Sequence, residues 1–405
     1  MKQLAMFFSL KAVCFYALCV FWVSLTFSKA LMEISFMIAL LAWLAWKIQE
    51  RKGFSDQVPL SLLIPLLGYV LISVGSHFWS ENSEASFRGI FKVLQEVMVA
   101  VLVVDAFQTR KELGFFEKVF FALILFTVLS GFSQYFLGRD FLRGYAGLDS
   151  FAGLRVRASF GFYSHLAAFI LCTVPFLIAL TLYRRQQGIS FPVVLLYGVT
   201  VIGSFVLLYL TRSRGAYIAF LSGSFIFLIL GRKYALIFLL SAGVVGSFFV
   251  LPKSMIIHLD ADSKEQSLVE RFFLWDRAYH VIKAKPWTGT GINTYASTHA
   301  KYDQTDNWRV RDYYAHNGYL QIAAETGLPC LFFFLLFLFQ YFRLSLQHAR
   351  SLELQPEQNL FMGQMIGLVN FLVFALVDTV FHNPQPIMMF WFLLGLQWAN
   401  QRVAR

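Results

Sequence analysis

The sequence predicts an all-α polytopic membrane protein of about twelve transmembrane helices with one large loop on the outer side. Three observations carry the membrane reading. Hydrophobic residues make up 58 % of the 405 residues and charged residues only 14 %, against ~25 % charged in a soluble domain. Phenylalanine alone contributes 46 residues, and the mean hydropathy is +0.61. The apolar residues lie in long runs without strand-like alternation, which excludes a β-barrel together with the disordered, coiled-coil, collagen-like and disulfide-scaffold classes.

Each crossing of a bilayer takes ~20 apolar residues. Runs of that kind lie near 5–27, 31–46, 58–75, 89–107, 114–137, 165–182, 190–210, 215–230, 233–251, 316–342, 360–380 and 386–399. The first has Lys2 and Lys11 ahead of its apolar stretch, as a signal peptide does. No A-x-A cleavage site follows, so it reads as an uncleaved span. The runs at 31–46 and 386–399 are short for a crossing. The chain thus divides into 1–251 (spans one to nine), 252–315 (the large loop) and 316–405 (spans ten to twelve and a tail).

An even number of spans puts both termini on one side. The short loops of that side carry Lys47, Arg51 and Lys52, then Arg110, Lys111 and Lys118, Arg184 and Arg185, Arg232 and Lys233, and Arg343 and Arg350, and the tail adds Arg402 and Arg405. By the positive-inside rule this side is cytoplasmic. Two outer segments break the rule: 138–164, with Arg139, Arg143, Arg155 and Arg157, and the turn T-R-S-R at 211–214. Basic residues placed against the topology suggest an anionic ligand. The formal charge of +11 therefore reads as span-end anchors plus that ligand, and not as nucleic-acid binding. Seven of the eight histidines (His77, His165, His258, His280, His299, His316 and His382) also fall in or beside outer loops.

In the large loop, Ser263 and Gln266 have capping-box spacing. Leu268, Phe272, Trp275, Tyr279 and Ile282 then form one helical stripe, so 266–284 reads as a helix on the membrane surface or as an ordinary packed loop helix. Cys14, Cys19, Cys172 and Cys330 all sit in apolar runs and form no CxxC pair, so neither a disulfide framework nor a thiolate metal site is expected.

Several residues are candidates for chemistry. Arg212 and Arg214, in T-R-S-R-G, offer planar forks that match phosphate oxygens; interfacial anchoring is the alternative. Arg88, Lys92 and Glu96 repeat every four residues along one helix face, reaching to a depth where charges usually face a cavity; Lys92 and Glu96 also read as a neutralising pair. Glu33 and Asp378 read as packing or anchoring acids. His316 opens a span, where the helix dipole disfavours the imidazolium and leaves a neutral ring able to act as a general base; a capping histidine is the alternative. Glu325, half a helical turn out of phase with His316, reads as structural. Among Arg271, Arg277, Lys283 and Lys285, Arg271 shares a face with Trp275 and is the strongest candidate. Asp260 and Asp262 form a D-x-D, a pair common by chance. Thr288-Gly-Thr-Gly-Ile-Asn follows a helix and Pro286, so it reads as a turn before a phosphate cradle.

Four stretches together resemble the O-antigen ligase/polymerase superfamily of bacterial inner membranes. They are F-W-S-E-N at 78–82 with Arg88 beyond it, T-R-S-R-G-A-Y at 211–217, E-R-F-F-L-W-D-R-A-Y-H-V-I-K-A-K-P-W-T-G-T-G-I-N at 270–293, and H-N-G-Y-L-Q-I-A-A-E-T-G-L-P at 316–329. R-A-S-F-G at 157–161 is a weaker match. The resemblance runs from about residue 60 onward. It implies a metal-independent, cofactor-free glycosyltransferase of transferase-C architecture. Such an enzyme moves a glycan from undecaprenyl pyrophosphate to a sugar hydroxyl of lipid A–core on the periplasmic face. By motif, the catalytic residues are His316, Arg214 and Arg271. Arg212, Arg88, Lys92 and Arg157 then join as pyrophosphate-binding candidates, and the Phe-rich spans would hold the polyprenyl tail. A polymerase or a protein glycan transferase of the same superfamily shares these motifs. A flippase for the same lipid is the rival from a different class, although no internal repeat points to a transporter.

Overall fold

The computed structural model describes residues 9–50, 58–149, 153–230, 267–303, 314–352 and 356–403. The expected ninth span at 233–251, the D-x-D of Asp260 and Asp262, the capping pair Ser263 and Gln266, and His258 lie outside the described residues. The described residues are helical, with two isolated bridges and no named strand.

Helices underlie the other expected spans. They are α1 (Leu10–Ser24), α2 (Lys29–Glu50), α3 (Leu60–Gly75), α4 (Ser83–Ala106), α5 (Arg110–Leu137), α6 (Tyr163–Gln186), α7 (Phe191–Leu210) and α8 (Arg214–Leu230). Beyond them come α9 (Ser267–Ala284), α10 (Gly318–Thr326), α11 (Leu328–Ser351), α12 (Pro356–Phe374) and α13 (Pro384–Val403). Among the described residues, six helices are long and apolar enough to cross a membrane: Lys29–Glu50, Leu60–Trp79, Arg110–Leu137, Tyr163–Gln186, Phe191–Leu210 and Leu328–Ser351. The chain is a polytopic helical membrane protein. The expected tenth span, 316–342, is two helices, because Gly327 (φ +85°) ends α10 and Pro329 restarts the chain as α11.

Helix α6 is the centre of the bundle and is buried nearly all round from His165 to Leu180. Its closest partner is α12. Gly363 and Gly367 of α12 lie against the backbone of Pro175, Phe176 and Cys172, so a Cβ at either would collide with α6. This is the small-residue spacing that lets two membrane helices approach. Pro175 has no N–H for the carbonyl of Leu171, four residues back. Asn370 of α12 supplies the missing donor, Nδ2 to Leu171 O at 3.2 Å. Much of the phenylalanine fills the core: Trp22 packs on Phe392 at 4.9 Å and on Phe116 and Phe120, and Phe120 packs on Phe176.

The basic residues at one end of the bundle are held in ion pairs between helices. Lys11 meets Glu112 at 2.9 Å, Lys47 meets Asp105 at 2.8 Å, Arg184 pairs with Glu117, and Arg402 reaches Asp105 at 4.0 Å. All the motifs lie at the opposite end.

In α9 the buried residues are Leu274, Arg277, Ala278 and Val281, whereas Phe272 and Tyr279 of the expected stripe are exposed. Its packed face looks onto a small core with Tyr295, Ala315 and Ala324. Small residues there admit close approach, and Arg277 is neutralised by Asp303, which is why the packed face is not the most apolar one.

Candidate active site

The site is assembled by docking 285–303 onto the 3-10 turn Ser76–Trp79 and the residues after it. The F-W-S-E-N motif supplies most of the bonds. Ser76 Oγ accepts the N–H of Ile292 at 2.9 Å, Trp79 Nε1 donates to Thr288 O at 2.7 Å, and Glu81 N donates to Thr290 O at 2.9 Å. The Glu81 carboxylate takes Lys285 at 2.7 Å, Lys301 at 3.1 Å and the hydroxyl of Tyr302. Although burial opposes ionisation, hydrogen bonds from these three groups hold Glu81 down to about 2. Asn82 caps α4 through Ala85 N and reaches Ser297.

Thr288–Asn293 is a turn, as its position after Pro286 predicts. Gly289 (φ +63°) passes against the backbone of Glu325, and Gly291 (φ +106°) passes against Ser80. Its amides are spent inside the protein: Thr290 N on Ala324 O, Gly291 N on Glu325 O, and Asn293 N on the Glu325 carboxylate at 2.7 Å. Glu325 also accepts Tyr295 N at 3.1 Å and Gln321 Nε2 at 3.2 Å. The structural role expected of Glu325 is the one observed.

His316 stands just before α10 with a left-handed backbone (φ +47°). The cap of α10 is its neighbour Asn317, whose side chain accepts Tyr319 N and Leu320 N. Burial, and secondarily the charge of Arg271, push His316 down to about 4. The ring is therefore neutral near pH 7, from desolvation and a neighbouring cation.

The turn 374–382, between α12 and α13, is where the motifs meet. Gly318 N donates to Ala375 O at 2.7 Å. Gly215, next to Arg214 at the start of α8, lies against Val377 and Phe374. Asp378 is raised to about 6 by burial, and Arg271 opposes that shift. His382, pushed down to about 3 by burial, accepts Gln321 Nε2 at 3.0 Å and stacks on Tyr314 at 4.2 Å. Asp378, read from sequence as a packing or anchoring acid, thus feels the charge of the candidate Arg271.

The remaining candidates are dispersed. Arg212 is left-handed (φ +54°) and stacks over Tyr209 at 4.4 Å, while Arg214 is exposed. Arg88 is exposed and paired with Glu84 one turn back at 2.8 Å, so it does not join Lys92 and Glu96. Lys92 donates to Asn293 Oδ1 at 2.8 Å and, with Glu96, Glu325, His382 and Trp391, lines a cavity of about 70 Å³ beneath the docked turn. Arg157 donates to Ala146 O and Gly161 O, and its guanidinium lies over Tyr145, so its donors close the 138–161 loop. Among the described residues no group of three or more His, Cys, Asp and Glu could hold a metal ion.

Residues 199–335 match the family described as O-antigen ligase. That stretch is an O-antigen ligase family domain. It covers about a third of the chain and contains the motifs at 211–217, 270–293 and 316–329, whereas F-W-S-E-N and R-A-S-F-G lie outside it. No curated protein matches the chain. Within and around the O-antigen ligase domain, sequence reasoning missed Glu81 and Asn293 as the pins of the docked turn. The signal available was the position of Glu81 inside a recognised motif. Among the described residues, the non-glycine residues with positive φ are Ala158, Arg212, Asn293 and His316, and each belongs to one of the motif stretches. Backbone strain of this kind concentrates at functional sites.

Proposed function

We propose that the protein is an O-antigen ligase that transfers a glycan from undecaprenyl pyrophosphate to a sugar hydroxyl of lipid A–core at the periplasmic face of the inner membrane. The observation that supports this best is the meeting of His316, the Arg271 charge and the T-R-S-R turn around residues 374–382. In this reading the neutral His316 accepts the proton of the acceptor hydroxyl. The acceptor oxygen bonds to the anomeric carbon as the bond from that carbon to the pyrophosphate oxygen breaks, with inversion. The leaving pyrophosphate gains negative charge, which Arg214 and Arg271 stabilise in the transition state. Approach of the anionic donor offsets the Arg271 charge that holds the His316 pKa down, so the base strengthens once substrate is bound. Arg212 assists at the pyrophosphate.

The test is a surface-glycan gel from a deletion strain, complemented with wild type or with His316→Ala. A ligase predicts intact lipid A–core without polymer, accumulation of undecaprenyl-linked polymer, and no rescue by the inserted His316→Ala protein. A single repeat still on the core, with only long chains missing, would identify a polymerase instead. Glycan transfer by the purified protein in detergent, without an ion gradient, would exclude the flippase.

A further inference from the structure

The arginines of 138–164 do not act alike. Arg155 is fixed by a reciprocal backbone pair with Leu148, at 2.9 and 2.8 Å, and the next residue, Val156, donates to Leu210 O at 2.9 Å. Leu210 ends α7 immediately before T-R-S-R. One hydrogen bond therefore ties the residue after Arg155 to the end of α7, two residues before Arg212.

We propose that Arg155 is a further donor-binding residue, forming with Arg212 a two-arginine cradle for the pyrophosphate of the lipid-linked donor. The Arg155 guanidinium lies 4.7 Å from the ring of Tyr163, as that of Arg212 lies 4.4 Å from Tyr209. For Arg155, stacking on a ring orients the planar group and leaves its edge N–H groups for a bidentate anion. Both charges act on the Tyr217 hydroxyl, which itself donates to Tyr209 O at 2.7 Å. The Nε of Arg155 is buried and makes no hydrogen bond within the protein, an arrangement that favours a ligand. Among the described residues no carboxylate pairs with Arg155. Asp140 is occupied by the amides of Leu142, Arg143 and Tyr145, and Asp149 is exposed. Arg157, two residues on, is spent on carbonyls.

The proposal rests on the donor assigned under Proposed function, and its test separates the two. Binding of inorganic pyrophosphate is measured calorimetrically on the full chain in detergent, for wild type, Arg155→Gln, Arg155→Lys and, at the opposite end of the bundle, the exposed Lys111→Gln. Loss of charge-assisted hydrogen bonds predicts about tenfold or weaker binding for Arg155→Gln, partial retention for Arg155→Lys, and a change below about threefold for Lys111→Gln. With the lipid donor, Arg155→Gln raises KM while kcat is largely kept. Unchanged pyrophosphate affinity and KM in both Arg155 variants would overturn the cradle. So would an effect seen only on adding phosphatidylglycerol in nanodiscs, which would assign the anion to a bilayer headgroup. Pyrophosphate binding that needs Arg155 in a protein whose deletion leaves surface glycans unchanged would keep the cradle and refute the ligase reading.

Discussion

Glu325 holds the backbone N–H of Asn293 at 2.7 Å, joining the last turn of α10 to the glycine-rich turn of the docked segment. The bond is partly buried, and the same carboxyl group also carries Tyr295 N. Glu325→Gln replaces one acceptor oxygen by a donor facing an N–H. We expect a cost of about 1–3 kcal/mol, read as faster amide hydrogen exchange across 288–295 and reduced transfer by a protein that still inserts. Unchanged exchange would show that the turn is held by other bonds.

Burial, with the charge of Arg271 as a second cause, holds the His316 pKa down. A general base works when neutral, so its rate falls as pH drops through its pKa. With His316 near 4, the wild-type acid limb of kcat/KM, which reports the free protein, lies well below neutrality. Arg271→Gln removes the secondary cause and leaves burial, so the limb moves upward toward the ordinary histidine value of ~6.5 without reaching it. Asp378 also titrates, near 6, and Asp378→Asn is the control. An acid limb that stays in place in Arg271→Gln would remove this coupling.

Glu81 anchors the docked loop through a depressed pKa of about 2. Its folded value lies below the unfolded ~4.3, so the anchoring contribution is full above the unfolded value and is lost as pH falls through about 2. The loop should stay docked from neutrality down to about pH 4. Glu81→Gln should loosen it at every pH, visible as protease cleavage within 285–303. Equal protection in the variant and wild type would contradict this.

The contact between α6 and α12 depends on the missing side chain of Gly367, which faces the Cys172 carbonyl. Gly367→Ala forces the helices apart and should cost about 1–3 kcal/mol by overpacking. Asn370→Leu leaves the Leu171 carbonyl without the donor that replaces the proline N–H, and should cost a similar amount. Thermal melting in detergent checks both. A double variant no worse than the worse single would show one shared interface.

The helices were legible because long apolar runs leave few alternatives: 191–210 is helical where 190–210 was expected, and 163–186 where 165–182 was. Gly327 followed by Pro329 carried a break that hydropathy averaged away. The site was legible as motifs but not as geometry. Spacing put Arg88 on a face with Lys92, but Glu84, one turn nearer the helix start, captured it. Arginine content marked 138–164 as a whole but did not separate Arg157, whose donors meet carbonyls, from Arg155. The face buried by α9 followed the small partners Ala315 and Ala324, which no local pattern could reveal. Asp378 gained its neighbours only through the turn after α12, far from the other motifs in sequence.

The left-handed residues Arg212 and His316 carry a further consequence for anyone evolving this protein. A side chain in that conformation costs on the order of 1–3 kcal/mol, and glycine would relieve it. Libraries screened for heat resistance alone will therefore enrich glycine at the two positions where the proposed chemistry cannot spare a side chain. Sturdier variants should emerge that insert well and transfer nothing, so activity has to be selected alongside melting temperature.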